Sequence, residues 1–146
     1  MDGKAVVVPS FEAGTIVLSS KEESVVLSWK ADDGDRRRGV AAGAWRRRST
    51  RIERAKDGEA WFLSSTSPNL DVRLATESPF VLKQEGKAFF TGSAKRDKGA
   101  LQMGFDLKDE GGRGISVYRK DRRIEVRWRL LGKDGKEIAA GAMNYG

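Results

Sequence analysis

One stretch of this chain alternates apolar and polar residues over eight positions, and this pattern constrains the fold more than any other feature. The alternating positions hold Ile124, Val126, Trp128 and Leu130 on one side, and Arg123, Glu125, Arg127 and Arg129 on the other. Successive side chains of a β-strand point to opposite faces of a sheet, so a period of two predicts a half-buried strand. The same alternation recurs at Val25–Trp29 and Leu101–Leu107.

Turns that contain glycine separate the alternating runs. The chain has 17 glycines and only three prolines. The pattern predicts about ten main strands. We place them near residues 15–20, 25–30, 38–47, 50–55, 59–65, 87–92, 100–107, 114–119, 122–131 and 136–143. Short connections join antiparallel neighbours, so we predict an all-β antiparallel meander that forms a barrel or a two-sheet sandwich. The aromatic residues expected in its interior are Trp29, Phe62, Phe90, Phe105 and Trp128.

The length of the chain, 146 residues, suits one domain covering residues 1–146. Two segments, 14–66 and 86–145, share an order of motifs that predicts a pair of pseudo-repeats. Gly14 and Gly86, and likewise Arg51 and Arg123, are each 72 positions apart. We expect residues 67–84 to connect the two segments and to contain at most one edge strand.

The absence of histidine and cysteine excludes many kinds of chemistry. Ser-His-Asp and Cys-His nucleophile systems, imidazole bases and zinc sites with His or Cys ligands all need residues that this chain lacks. Carboxylate pairs such as Asp32-Asp33 and Asp109-Glu110 lie in predicted turns, where ordinary turn hydrogen bonds account for them. We therefore predict a protein that is not an enzyme, with no cofactor and no metal site.

Apolar runs are short throughout the sequence. The run Ala5–Val8 is shorter than the apolar core of a signal peptide, and no stretch approaches the 18 or so apolar residues of a membrane span. The sequence therefore predicts an intracellular protein without a membrane span.

Positive charge is concentrated in two segments. Residues 36–54 contain eight arginines and one acid, which gives this segment a net charge of +7. Residues 113–129 contain six arginines and one lysine against two acids, a further +5. Because the whole chain carries only +7, the rest of it must be acidic. Such segregated charge is typical of proteins that bind polyanions.

The arginine-rich segments also contain aromatic residues. Arginine binds phosphate through two parallel donors and stacks on bases, and exposed rings can stack beneath the bases of a single strand. We expect Tyr118 on the face opposite Ile115 and Val117, whereas the position of Trp45 is ambiguous. The predicted site for RNA or single-stranded DNA comprises Arg46, Arg47, Arg48, Arg51, Arg119, Arg123, Arg127 and Arg129 as phosphate ligands, with Tyr118 and Trp45 as stacking residues.

Other functions are compatible with the sequence. A small β-barrel could carry an apolar ligand in its interior, although such a carrier does not need two cationic segments. A structural or coat subunit could self-assemble as a homo-oligomer through its sheet edges and pack nucleic acid. An acidic membrane surface is a further target for the charge. The arginines could also be solvated surface residues that protect strand edges and pair with neighbouring acids.

Overall fold

The computed structural model describes residues 3–84 and 86–143, with side chains at all of these except 66–69, and this part of the chain contains thirteen strands and no helix. The all-β prediction is confirmed. The strands are β1 (Lys4–Pro9), β2 (Ala13–Ser19), β3 (Ser24–Trp29), β4 (Arg38–Ala41), β5 (Gly43–Lys56), β6 (Glu59–Leu74), β7 (Phe80–Leu82), β8 (Phe89–Asp97), β9 (Ala100–Lys108), β10 (Ile115–Arg119), β11 (Arg122–Arg123), β12 (Arg127–Leu131) and β13 (Glu137–Ala142). Accordingly, the described residues include no helix long and apolar enough to span a membrane.

Six strands form the large sheet, in the order β11-β10-β6-β5-β2-β3, and every neighbouring pair is antiparallel. Its centre is the long hairpin of β5 and β6, joined by the two-residue turn Asp57-Gly58. Both turn residues have positive φ, 52° and 73°. This conformation matches the twist of the two strands and explains why glycine follows aspartate there.

Three strands form the small sheet, in the order β4-β1-β7. Strand β1 pairs antiparallel with β4 but parallel with β7. The parallel pair departs from the predicted meander, and it can form because a long stretch of chain separates β1 from β7. Ser10 extends the pairing, since its backbone N and its Oγ both donate to the carbonyl of Leu82, at 3.0 and 2.9 Å.

The core lies between the small sheet and the inner face of the large sheet, so the sandwich alternative is supported. Alternation sends Ile16, Leu18 and Ile52 of the large sheet inward against Val7 and Leu82 of the small sheet, and all are at most 2% exposed. Burial of such aliphatic side chains stabilises the fold by about 1.5–3 kcal/mol each. Trp29 also lies in this core, in edge contact with Phe11 at a centroid distance of 5.7 Å.

Two hairpins, β8–β9 and β12–β13, form separate two-stranded sheets. The prediction of an interior aromatic is therefore wrong for Phe90, which is 57% exposed, and its ring stacks on the half-buried Phe105. Trp128 is half-buried on β12, over Gly141 of β13. A lone hairpin has no second sheet to cover its apolar side.

Strand boundaries differ from the prediction in several places, including the segment 122–131, whose alternation is unbroken. One strand, β5, covers most of the two strands predicted at 38–47 and 50–55, whereas the strand predicted at 122–131 divides into β11 and β12. The segment 67–84 contains the end of β6 as well as β7 as its edge strand, and β1 was missed. The single domain and the pseudo-repeats stay predictions.

A candidate nucleic-acid interface

An irregularity in β5 decides which of its arginines reach the surface. The register of β5 with both neighbours shifts between Arg47 and Ser49, so Arg48 is an additional residue that forms a β-bulge. A bulge shifts the alternation by one position. Odd-numbered residues therefore point inward before Arg48, and even-numbered residues point inward after it. As a result, Arg46 and Arg51 share the outer face of the large sheet even though five positions separate them.

The same alternation corrects two predicted site residues. Trp45 is 4% exposed and its Nε1 donates to the carbonyl of Ala41 at 2.9 Å, so its ring packs in the core and cannot stack on a base. Arg47 is 3% exposed and points into the protein, where an extended phosphate backbone cannot reach it. We therefore remove both residues from the candidate interface.

Three side chains stack across adjacent strands on the outer face. The rings of Phe62 on β6 and Tyr118 on β10 are nearly parallel, with an interplanar angle of 9° and a centroid distance of 4.5 Å. The guanidinium carbon of Arg51 on β5 lies over Phe62, 3.8 Å from the ring centroid. Arg123 on β11 is directly opposite Tyr118 in the register. Arg51, Phe62, Tyr118 and Arg123 thus form a row, which we call the outer stack.

The outward position of Tyr118 is confirmed, because Ile115 and Val117 are buried on the other face. Phe62, in contrast, was predicted in the interior and lies beside Tyr118 on the outer face. Alternation along β6 places Phe62 on the face opposite Leu63 and Ser65. Which of the two faces is the outer one depends on the pairing of β6 with β10, which local alternation does not specify.

Cations also surround an open groove of about 660 Å³ next to the bulge, which we call the bulge groove. Four cationic side chains line it, from Lys21, Arg46, Arg48 and Arg73, together with the single carboxylate of Asp71. Arg48 is held in place because its Nε donates to Ser19 Oγ at 2.7 Å. The groove therefore combines an excess of positive charge with a fixed guanidinium.

A second open groove, about 860 Å³ in volume, lies at the end of the large sheet around the turn from β10 to β11. We call it the turn groove. Its cations come from Arg119, Lys120, Arg122 and Arg123, and its acids are Asp121 and Glu125. The half-buried ring of Trp61 forms one wall, and the guanidinium carbon of Arg119 lies 5.7 Å from its centroid. An aromatic wall beside cations suits a base and its phosphate.

Carboxylates pair with several of the predicted phosphate ligands. Arg46 lies 3.4 Å from Asp71, Arg51 lies 3.2 Å from Glu53, and Arg127 lies 2.7 Å from Glu125. Arg119 binds Glu59 through both Nε and Nη2, and the hydrogen bond from Arg119 lowers the pKa of Glu59. The arginines of these pairs are all about half exposed or more, and solvent screens such exposed pairs, so they contribute little to stability. A phosphate can therefore replace these carboxylates at small cost.

The two remaining candidates, Arg127 and Arg129, lie on β12 outside the large sheet. They are exposed on the hairpin β12–β13, beside Trp128. The large sheet thus brings together Arg46, Arg48, Arg51, Tyr118 and Arg123 on its outer face, with Arg119 at its end, and does not include the last two arginines.

Within residues 3–84 and 86–143, carboxylates nowhere form a group of three that could hold a metal ion. The candidate interface thus consists of cations, rings and exposed ion pairs. Comparison with protein families, with curated proteins and with solved structures finds no match to this chain.

Proposed function

We propose that this chain is a non-enzymatic binding protein that holds RNA or single-stranded DNA across the outer face of the large sheet. The observation that carries the proposal is the outer stack. This row crosses four adjacent strands, and its two nearly parallel rings lie between Arg51 and Arg123. Single strands offer both a charged backbone and exposed base faces, and this row presents a partner for each.

The spacing along β5 supports the same ligand. Arg46 in the bulge groove and Arg51 in the outer stack are five residues apart on one strand. A rise of about 3.3 Å per residue separates them by roughly 16 Å. Several consecutive nucleotides could therefore contact both sites, with phosphates at Arg46 and Arg48 and a base at Tyr118.

Duplex DNA fits the surface less well. Readers of the major groove usually insert an α-helix or a two-stranded ribbon. The described residues contain no helix, and the two-stranded hairpins β8–β9 and β12–β13 lie outside the sheet that carries the outer stack. A wide sheet face with half-buried rings matches unpaired bases, which can turn toward the protein. We therefore expect single strands to bind more tightly than duplexes of the same length.

The experiment is a fluorescence-anisotropy titration with labelled RNA, single-stranded DNA and duplex DNA, each across a salt series from 50 to 300 mM. Release of counterions predicts that the logarithm of the binding constant falls linearly with the logarithm of salt concentration, with a slope of about 0.7 per single-strand phosphate contact. Five exposed arginines predict a slope of roughly −3 to −4 for single strands. Absence of binding at 50 mM salt would exclude the proposal.

Self-assembly is a second candidate because both hairpins expose apolar residues. Phe89 is 54% exposed on β8, and Ile138 is 67% exposed on β13. Two hairpins from different copies could cover each other's apolar faces. Light scattering with and without oligonucleotide distinguishes the candidates, since a monomer under both conditions contradicts assembly.

A further inference from the structure

The side chain of Arg47 is buried without a hydrogen-bonded counterion. The residue is 3% exposed, and its Nη1 donates to Gln84 Oε1 across a long distance of 3.4 Å. Its Nε and Nη2 donate to no acceptor in the described part of the chain. Buried polar groups are nearly always hydrogen-bonded, so two open donors on one buried cation need an explanation.

The nearest buried carboxylate, Asp109, is already fully used. Its side chain is 1% exposed and its Oδ2 accepts from Arg113 Nε at 2.7 Å. Its Oδ1 accepts from the backbone N of Gly111 and of Arg113, each at 2.9 Å. Gln84 Nε2 contacts Oδ2 at 3.4 Å. Asp109 therefore neutralises Arg113, and within the described part of the chain no carboxylate accepts a hydrogen bond from Arg47.

The electrostatic environment agrees with this assignment. Burial, together with the nearby charge of Arg113, lowers the pKa of Arg47 to about 10, although Asp109 and Glu110 act in the opposite direction. At neutral pH the guanidinium therefore remains protonated. An isolated cation in a protein interior costs several kcal/mol unless an anion or a set of acceptors compensates for it.

The two donors of Arg47 that lack an acceptor, Nε and Nη2, are the pair through which an arginine binds an oxyanion side-on. Nε and Nη2 lie on one edge of a guanidinium and donate in parallel. In this chain the same edge of Arg37 holds Asp35, with contacts of 3.1 and 3.3 Å, and the same edge of Arg119 holds Glu59. Arg47 thus presents, inside the protein, the geometry that binds carboxylates on the surface.

A third open polar atom lies nearby in the chain. Thr50 is the next residue of β5 that points inward after Arg47, because Arg48 and Ser49 belong to the bulge and to the outer face. It is 2% exposed, and its Oγ1 has no hydrogen-bond partner among the described residues. A hydroxyl can donate to an anion, so Thr50 adds a neutral donor to the charged fork.

We propose that Arg47, with Thr50, forms an interior binding site for one small oxyanion, the class that includes inorganic phosphate, sulfate and carboxylates. Gln84 borders this site, because its Oε1 accepts from Arg47 and its Nε2 contacts Asp109. A polynucleotide cannot enter it, so the site is separate from the outer stack, and the two faces of β5 separate the two functions.

The test measures thermal unfolding of the full chain in buffer of low chloride, with inorganic phosphate, sulfate or acetate added in separate series. A ligand that binds only the folded state raises the Tm, by about 5–10 °C at a hundred times its Kd for a chain of this size. The three series separate phosphate-type ligands from carboxylates. A Tm unchanged by all three anions overturns the proposal.

Two variants make the result specific. Arg47→Met should unfold at a higher temperature than the parent in anion-free buffer, because it removes an uncompensated buried charge, and it should lose the saturable response to anions. Arg96→Met, an exposed change on β8 outside both proposed sites, should respond as the parent does. Excluded salts stabilise all folded proteins, and such a general effect would appear equally in both variants. An equal response in Arg47→Met overturns the site.

A spectroscopic measurement on the unmodified protein covers the case in which Arg47→Met does not fold. A buried Nε–H exchanges slowly with water, so Arg47 should give a persistent Nε–H signal in a ¹H–¹⁵N spectrum at neutral pH. Addition of phosphate, sulfate or acetate should shift this signal saturably. A spectrum in which no slowly exchanging arginine Nε–H signal responds to any of these anions contradicts the proposal.

Discussion

The two arginine-rich segments have similar composition and different structural support. The first, residues 36–54, lies largely on β4 and β5, and β5 has a hydrogen-bonded neighbour on each side. The second, residues 113–129, begins in the large sheet at β10 and continues into β12, which within the described residues pairs with β13 alone. Arg51 thus belongs to a six-stranded face, whereas Arg129 belongs to a lone hairpin.

This difference shows that local charge is not sufficient to define an interface. A surface binds tightly when its side chains are held in place before the ligand arrives, because ordering them during binding reduces affinity. The large sheet fixes Arg51 against Phe62, and Ser19 fixes Arg48. On β12, the guanidinium of Arg127 pairs with the exposed carboxylate of Glu125, whereas Arg129 has no ion pair among the described residues.

The largest expected effect concerns stability. Ile16→Ala removes a side chain that is 1% exposed in the core of the sandwich and should lower the free energy of unfolding by about 2–5 kcal/mol. Leu131→Ala, at a hairpin residue that is 52% exposed, should change it by less than about 0.5 kcal/mol. Urea unfolding monitored by circular dichroism measures both. Similar losses would mean that the hairpin packs as tightly as the sandwich.

Binding provides the second prediction. Replacing Arg46, Arg48 and Arg51 by alanine should reduce the slope of the salt dependence for single strands by about 2, because each lost phosphate contact removes about 0.7. The double variant Arg127→Ala, Arg129→Ala should reduce it by less than about 0.7. Arg96→Ala, an exposed change on β8, gives the effect of removing one positive charge outside both segments. Equal effects per arginine would show that the hairpin joins the interface.

A smaller effect is expected at the outer stack. Tyr118→Ser should weaken single-strand binding by about 5- to 150-fold, corresponding to about 1–3 kcal/mol for one stacked base. Tyr118→Phe should retain most of the affinity, since it keeps the ring. Trp128→Ser, on the hairpin, should have little effect on the Kd. Stopped-flow or anisotropy titrations give these constants, and a strong loss in Trp128→Ser alone would place the bases on β12 instead.

The smallest effect concerns pH at Arg113, where the second segment begins. Burial raises the pKa of Asp109, but hydrogen bonds from the backbone and side chain of Arg113 outweigh it, so the pKa lies below its ordinary value. A lowered folded-state pKa contributes stability above the unfolded pKa, near 4, and this contribution is lost as the pH falls through the folded value. Asp109→Asn should therefore lose less stability than the parent as the pH falls below about 4. Urea titrations between pH 7 and pH 2 test this, and an equal acid sensitivity contradicts it.

Alternation along the sequence predicted which face a side chain occupies wherever that depends on one strand alone. Alternation placed Tyr118 on the face opposite Val117 and identified Trp29 as a core residue, because each conclusion needs only the parity of neighbouring positions. Alternation does not extend across the bulge at Arg48, where parity changes without a signal in the residue types. The sequence leaves Trp45 ambiguous because its neighbours on either face are small, and Arg47 entered the predicted site through its charge alone.

Features that depend on pairing between distant strands were not predictable. Phe62 reaches the outer stack through the register of β6 with β10, and the parallel pairing of β1 with β7 joins residues more than 70 positions apart. The open hydrogen-bond donors of Arg47 depend on the contact between Gln84 and Asp109, which no local pattern encodes. Composition indicated a cationic surface but did not identify the strands that would share it.

The parallel pairing of β1 with β7 has a consequence for how the protein is made. Strand β1 occupies the middle of the small sheet, and one of its partners ends at Leu82. During synthesis one hydrogen-bonding edge of β1 must therefore stay unpaired until the ribosome has added residue 82 and released it from the exit tunnel. Contacts between such distant residues slow folding, so the nascent chain is most vulnerable to aggregation and to chaperone capture over this interval.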